Sequence, residues 1–402
     1  MKNKLLIVSI FIACQNLYAL SFEPAELLAR SNVRDSFNLP ALTYLSNVAP
    51  VINNQGEVAF KVVATGENAA QGIWIKAKED TYGKVLITAP EELVITDPSL
   101  NDQGKLVYSL FDDMNSVGVF EYDIHQLTEK HVIEAKQTNL TYFTYPTITN
   151  ETAIYFRGTN GNNDRAFYRF DKNLKSLVSE GVDIQGMSSS YLFRPSINHK
   201  GEMAFKMRMG KKGEWGENNP DVIALYRPTS GNLPSISYIA LDKDIDQNSK
   251  FLAFLNSVSL SNAGHIAYSA VTEDHRIAVM LFSPSGDTKQ IALENENDVL
   301  NVETFSVKVN ANGHVLFRGK DKDNKRALFF FDGTSLIKLL REGDELGTDL
   351  GMAKILDNQY YPGFSGEVDL NDNDQIVFGA VILSAKDSVE WGQGIYLLNP
   401  KK

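Results

Sequence analysis

Seven related segments of this chain carry, just after an aromatic residue, a position that reads Lys61, Ser109, Arg157, Lys206, Ser269, Arg318 and Gly379 in turn. Four of the seven are basic in a protein of 402 residues and net charge −11. Arg208 lies two residues beyond Lys206, and the approaches to the preceding strands add Asp97, Tyr142, Tyr145, Tyr191 and Arg194. Tyr145, Arg157, Tyr191, Arg194, Lys206 and Arg208 would then face one quadrant of a common rim. An anionic ligand is the natural partner of such a group, and a low-dielectric cleft strengthens the attraction. Tyrosine and histidine can move protons in either direction. Among the six histidines, His275 in the short loop Glu273-Asp274-His275-Arg276 is the candidate on that rim.

Each of these residues also has a plain structural reading. Basic side chains at strand ends are commonly held between neighbouring strands by carboxylates or carbonyls. Tyrosines at strand starts commonly pack, and a loop histidine is commonly solvated. His199, His265 and His314 fall on turns at the opposite end from the rim, and two ligands without a third make a poor metal site. His125 and His131 follow a third strand and read as outer residues. The chain holds no phosphate-binding glycine loop, nucleophile elbow or zinc motif. Asp321-Lys322-Asp323-Asn324-Lys325 begins like a calcium loop but lacks the closing glutamate. No metal or other cofactor is required, with room left only for a structural ion.

The elements that would position these residues are repeats. Asn53-Asn54-Gln55-Gly56-Glu57-Val58-Ala59-Phe60 is restated at Asn198 to Phe205, with looser copies beginning at Asn101, Asn262, Asn310 and Asn371 and a degenerate one at Asn150. Counted from the glycine position, the copies stand at 56, 104, 153, 201, 264, 313 and 374, at intervals of 48, 49, 48, 63, 49 and 61. Each copy is a β-rich run, an Asn/Gly turn and a second β-rich run, which is a hairpin signal. A third run follows, such as Gly72 to Ile75 or Ala327 to Phe331, and a fourth is visible at Leu336 to Leu340. Four strands per unit at a period of about 48 is the length of a propeller blade. The expected fold is an all-β, seven-bladed β-propeller occupying residues 20–402 as one domain.

The last unit runs out after its third strand, so its outer edge needs a partner. The segment Ser31 to Leu42 is the expected source, closing the ring with the N-terminal end of the chain. The stretch Glu23 to Arg30 reads as one or two helical turns. Residues 1–19 have the charged start, short apolar run and Leu17-Tyr18-Ala19 ending of a signal peptide, which implies a secreted or periplasmic protein. Cys14 lies within it, and acylation there is the alternative. The acidic balance argues against nucleic acid as a partner. No membrane contact beyond export is expected, and the protein should be a monomer. The two long intervals hold Arg208 to Asp221 with Trp215, Leu241 to Lys250, and Arg341 to Gly347 with Tyr360 and Tyr361.

The unit Asn-x-x-Gly-x-x-Ala-Phe, intact at Asn53 to Phe60 and Asn198 to Phe205, resembles the signature of bacterial secreted proteins named for tandem NxxGxxAF repeats. Phe331 to Asp344 resembles the third-to-fourth strand hairpin of that family. In size, export signal, blade number and Tyr/Arg/His rim the chain is similar to the shorter ulvan lyases. That resemblance implies β-elimination on an anionic, sulfated, uronate-containing polysaccharide. Arg208 or Arg194 would then neutralise the uronate carboxylate. His275 or Tyr145 would take the C5 proton, and Tyr191 would protonate the leaving O4. Lys206, Arg157 and Arg318 would hold neighbouring sulfates or carboxylates. Where the resemblance would place a histidine near the third blade, this chain has Tyr142 and Tyr145. A non-catalytic secreted propeller binding glycan or protein is the alternative, and a lyase for another uronate polymer is a third.

Overall fold

Asn53 builds its own turn. Its Oδ1 accepts from the backbone N–H of Gln55 at 3.0 Å and of Glu57 at 2.9 Å, and Gly56 takes a φ of 80°. Asn101, Asn198, Asn310 and Asn371 repeat this construction. The amide nitrogen does a second job by donating to the same turn of the next unit. Asn53 reaches Asn101 O at 2.8 Å, Asn101 reaches Thr149 O at 2.9 Å, and Asn371 reaches Asn53 O at 2.8 Å, carrying the belt across the ends of the chain. The repeat is therefore a belt of turns as much as a set of hairpins.

The computed structural model describes residues 20–401 except 33–34, 46–47, 65–69, 113–114, 215, 217–218, 230–234, 306 and 359. It is a seven-bladed β-propeller of antiparallel sheets, hydrogen-bonded in chain order from the channel outward in all but the last blade, whose outermost strand comes from the N-terminal segment. Blade one holds Val51–Ile52 innermost, then Val58–Ala64, Gln71–Lys76 and Lys84–Thr88. Alternating side chains of adjacent sheets interdigitate, giving seven apolar clusters among the described residues, one per blade interface. The left-handed turn position is 56, 104, 152, 201, 264, 313 and 374, so the third copy is set by Thr152 (φ 62°) and not by residue 153.

Closure uses a different piece of the N-terminal segment from the one expected. Glu26–Ser31 is a strand, not helical turns, and pairs antiparallel with Glu390–Leu398 as the outermost strand of blade seven. Its helix-forming composition yields to the unpaired edge it fills, an override of weak local propensity by tertiary pairing. The only helix among the described residues is the short 3-10 turn Ala135–Gln137. The second long interval contains the hairpin Glu345–Thr348 and Gly351–Ile355, which widens blade seven. The signal-peptide residues 1–19 and Trp215 lie outside the described residues.

Candidate functional site

The innermost strand of every blade is interrupted at the same height. It is split in blades one, two and six, and its register slips at Thr144/Thr147, Leu192/Pro195, Phe254/Val258 and Ser365/Asp369 in the others. Pro50, Pro98, Pro146 and Pro195 stand at equivalent places, each three residues before the turn. Proline cannot donate to the ladder, so the strand parts from its neighbour there. The residue before three of these prolines is released toward the channel: Asp97, Tyr145 and Arg194 all line one cavity of about 930 Å³, with Glu367 at the matching position of blade seven, while Ala49 before Pro50 is buried. Tyr145 takes a φ of 58°, a strained setting for a bulky side chain, and is 38% exposed.

The basic residues on the second strands hold these interruptions in place. Arg157 donates from Nη1 to Leu192 O at 2.9 Å and to Tyr191 Oη at 3.3 Å, and from Nε to Thr144 Oγ1 at 3.3 Å. Lys206 donates to Phe254 O at 2.6 Å and Asn256 Oδ1 at 3.2 Å. Arg318 donates to Gly366 O and, at 3.2 Å, to Phe364 O. Each clamps the inner strand of the next blade. Arg157 alone of the three lines the cavity, its guanidinium 5.1 Å from the Tyr145 ring and 5.6 Å from the Tyr191 ring.

The expected site residues therefore divide. Tyr145, Arg157, Tyr191 and Arg194 come together on the cavity wall. Arg194 sits 5.3 Å from the Tyr145 ring and donates to Glu367 Oε1 at 2.6 Å. Lys206, 3% exposed, is ion-paired with Asp221 at 2.8 Å, and Arg208 binds the same carboxylate at 3.0 and 3.3 Å. Both pack over Phe193, which lines the cavity while they do not. Arg318, also 3% exposed, pairs with Glu303 at 2.7 Å. Lys206 and Arg318 are inter-blade clamps, Arg208 is tied to Asp221 within its own blade, and none of the three lines the cavity. His275 is exposed on the turn between Ile266–Thr272 and Ile277–Phe282, with its N–H on Thr272 O at 2.9 Å, and does not line the cavity.

The cavity carries four cations, Lys61, Arg157, Arg194 and Lys308, against three carboxylates, Asp97, Glu367 and Asp369. Its balance is slightly positive inside an acidic chain. Desolvation lifts the Asp97 carboxyl above the usual carboxylate range, opposed by Lys61 and Arg194 and aided by Glu367. Desolvation pushes the Lys61 ammonium down, opposed by Asp97. Opposite shifts on neighbouring groups in a cleft are a pattern of functional sites. Glu367 had no sequence signal beyond its place four residues before Asn371, the offset at which Arg194 precedes Asn198.

A second cavity, about 780 Å³, lies between the outer strand of blade four and the strands of blade five and is lined by Tyr238, Phe251 and Tyr268. None of the expected site residues lines it. Among the described residues no group of three or more His, Cys, Asp or Glu is placed to hold a metal ion.

The chain matches the Family of unknown function (DUF7453) over residues 35–346 and 128–401. The protein belongs to that family. A comparison with curated proteins finds no match. Among solved structures, the chain is similar to the β-propeller domain of the trilobed protease from Pyrococcus furiosus, which has an open velcro topology. There the identity is 12%, the TM-score 0.54, and 89% of this chain and 97% of that one are covered. It is likewise similar to oligogalacturonate lyase in complex with manganese, at 10% identity and TM-score 0.55 over 96% and 97% of the two chains. One of two prolyl endopeptidases resembles it at 12% identity and TM-score 0.50, over 89% of this chain and 51% of that one. At such identities the likeness is one of fold. A polysaccharide-related lyase is thus a distant propeller neighbour, as are peptidases.

Proposed function

We propose that this protein is a polysaccharide lyase that cleaves a uronate-containing, sulfated polymer of the ulvan type by β-elimination. It would work as an exported monomer. The observation that carries the reading is the convergence of Tyr145, Tyr191, Arg157 and Arg194 on one cavity. Elimination needs three things at one place: a cation on the uronate carboxylate, a base for the C5 proton and an acid for the departing O4.

Arg194 takes the carboxylate, since its guanidinium is half exposed in the channel while the other candidate, Arg208, is held on Asp221. Tyr145, acting as its phenolate, accepts the C5 proton, the electron pair forms the C4–C5 double bond, the C4–O4 bond breaks, and the Tyr191 hydroxyl gives its own proton to O4. Arg157, between the two rings, holds them in register and faces neighbouring acidic groups of the polymer. His275, the other candidate base, stands on an exposed hairpin and has no part in this scheme. The reaction consumes no redox equivalents.

The experiment is the ultraviolet absorbance of the unsaturated uronate on mixing the protein with ulvan, beside alginate, pectate and heparin. A rise on ulvan alone supports the full reading, and a rise on another polymer keeps the lyase and replaces the substrate. A flat trace from folded protein on all of them overturns catalysis. A binding module is then the reading, and the partnered state of Arg194 and Arg157 is the observation that favours it.

A further inference from the structure

Arg194 and Glu367 belong to blades four and seven, which are not neighbours in the ring. Their 2.6 Å ion pair therefore crosses the channel and joins opposite walls of the cavity. Both residues occupy the same repeat position, four before the turn asparagine, where the inner strand is interrupted.

The backbone that presents Glu367 is built with care. Gly366 takes a φ of 69°, and a Cβ there would lie 1.9 Å from Val48 O, so no other residue fits against blade one. Glu367 N–H donates to that same carbonyl at 3.0 Å. From the other side, buried Arg318 donates to Gly366 O and Phe364 O and is itself fixed by Glu303. Three blades thus converge to hold one carboxylate against a channel guanidinium. The side chains remain accessible, 43% for Arg194 and 23% for Glu367, so a solute in the cavity can reach the pair.

We propose that Glu367 is a built-in substitute for the carboxylate of the ligand. It compensates Arg194 in the structure, and a uronate carboxylate entering the cavity displaces it and takes the guanidinium. This rests on the acidic-polymer reading above and adds a selectivity rule to it. A lone small anion gains nothing by exchanging one carboxylate for another. A polymer that brings further contacts to Arg157 and Tyr191 does gain. The exchange acts as a tax on binding, of the kind a fractionally populated competent state imposes.

The test is calorimetric titration of wild type, Glu367→Gln and Glu367→Asp with acidic oligosaccharides prepared from ulvan, pectate and alginate, with thermal unfolding as the fold control. Glu367→Gln removes the competitor, so the acidic oligomer should bind about two- to fivefold tighter, the yield of an accessible ion pair no longer broken. Glu367→Asp, with its shorter reach, should gain less but in the same direction, and serves alone if the glutamine variant does not fold. Methyl-esterified oligomers should show no gain in either. Binding by wild type with no gain in the folded variants overturns the substitute role and leaves the acidic-polymer reading standing. Absence of binding by all three proteins overturns both.

Discussion

Arg30 and Asp349 are joined by two parallel bonds, Nε to Oδ1 and Nη2 to Oδ2, each 2.8 Å long, although 319 residues separate them. Arg30 lies on the closing strand Glu26–Ser31, is 1% exposed, and also donates to Trp391 O at 3.0 Å. Asp349 lies on the hairpin that widens the same blade. The pair locks the closure of the ring from its outer edge. Arg30→Ala strands a largely buried carboxylate and should lower stability by about 3 kcal/mol, toward the lower end for a broken buried pair because Asp349 is partly exposed. Arg30→Met with Asp349→Leu should recover most of the loss. Urea unfolding measures both, and equal stability of the single and double variants would remove the locking role.

Thr152 occupies the left-handed position that glycine fills in five of the seven turns. A β-branched residue there is strained, at about 1–3 kcal/mol, while glycine gives back part of that through unfolded-chain entropy. Thr152→Gly should therefore stabilise by about 1 kcal/mol. Gly201→Ala should do the reverse, because its Cβ would meet Tyr155 Oη at 2.3 Å in addition to the φ of 72°. Thermal unfolding of the two variants should move in opposite directions, and parallel shifts would contradict the turn alignment.

The propeller was legible because one short motif does two structural jobs, the local turn at Asn53 and the bond to Asn101 in the next blade. Both jobs need the same residue type once per blade, which puts a readable signal at a near-fixed interval. The closing strand was not, because Glu26 to Ser31 reads locally as helix and its partner lies beyond residue 390. Tyr145, Arg157, Tyr191 and Arg194 were visible as a polar quadrant, and they do meet. Lys206 and Arg318 share the repeat position of Arg157 yet serve as buried clamps. Whether such a cation reaches the channel depends on which bulge the next blade presents, and only the assembled ring decides that.

Asp97 offers a test of cavity electrostatics that is independent of any substrate. Its native carboxyl holds a proton more tightly than in the unfolded chain, chiefly through desolvation. The native state then binds more protons than the unfolded state between the ordinary carboxylate range and the raised native value. Across that window stability falls as pH rises. Asp97→Asn lacks that slope, so its stability relative to wild type should climb with pH through the same interval. Carboxyl NMR titration should show the Asp97 midpoint rising further in Lys61→Met, which removes an opposing cation, and falling in Glu367→Gln, which removes a like charge. A midpoint in the ordinary range, indifferent to both substitutions, would refute this account of the cavity.

The proposed division of roles between the tyrosines and His275 can be separated by single atoms. Tyr145→Phe keeps the ring under Arg157 and Arg194 and keeps the strained backbone before Pro146, removing only the hydroxyl. Tyr191→Phe likewise keeps the ring beside Arg157 and Arg165. If these phenolic oxygens take one proton and give the other, each variant should lose about 100-fold or more in kcat with KM little changed, the usual scale of a lost general acid or base. Arg194→Gln should also raise KM, because it removes a contact made in the ground state. His275→Ala should keep both constants, since that side chain is exposed on its hairpin and outside the cavity wall. Initial rates of unsaturated-uronate formation, on variants matched for thermal unfolding, decide the matter. Full activity in Tyr145→Phe together with loss in His275→Ala would move the base out of the channel and sink the proposed geometry.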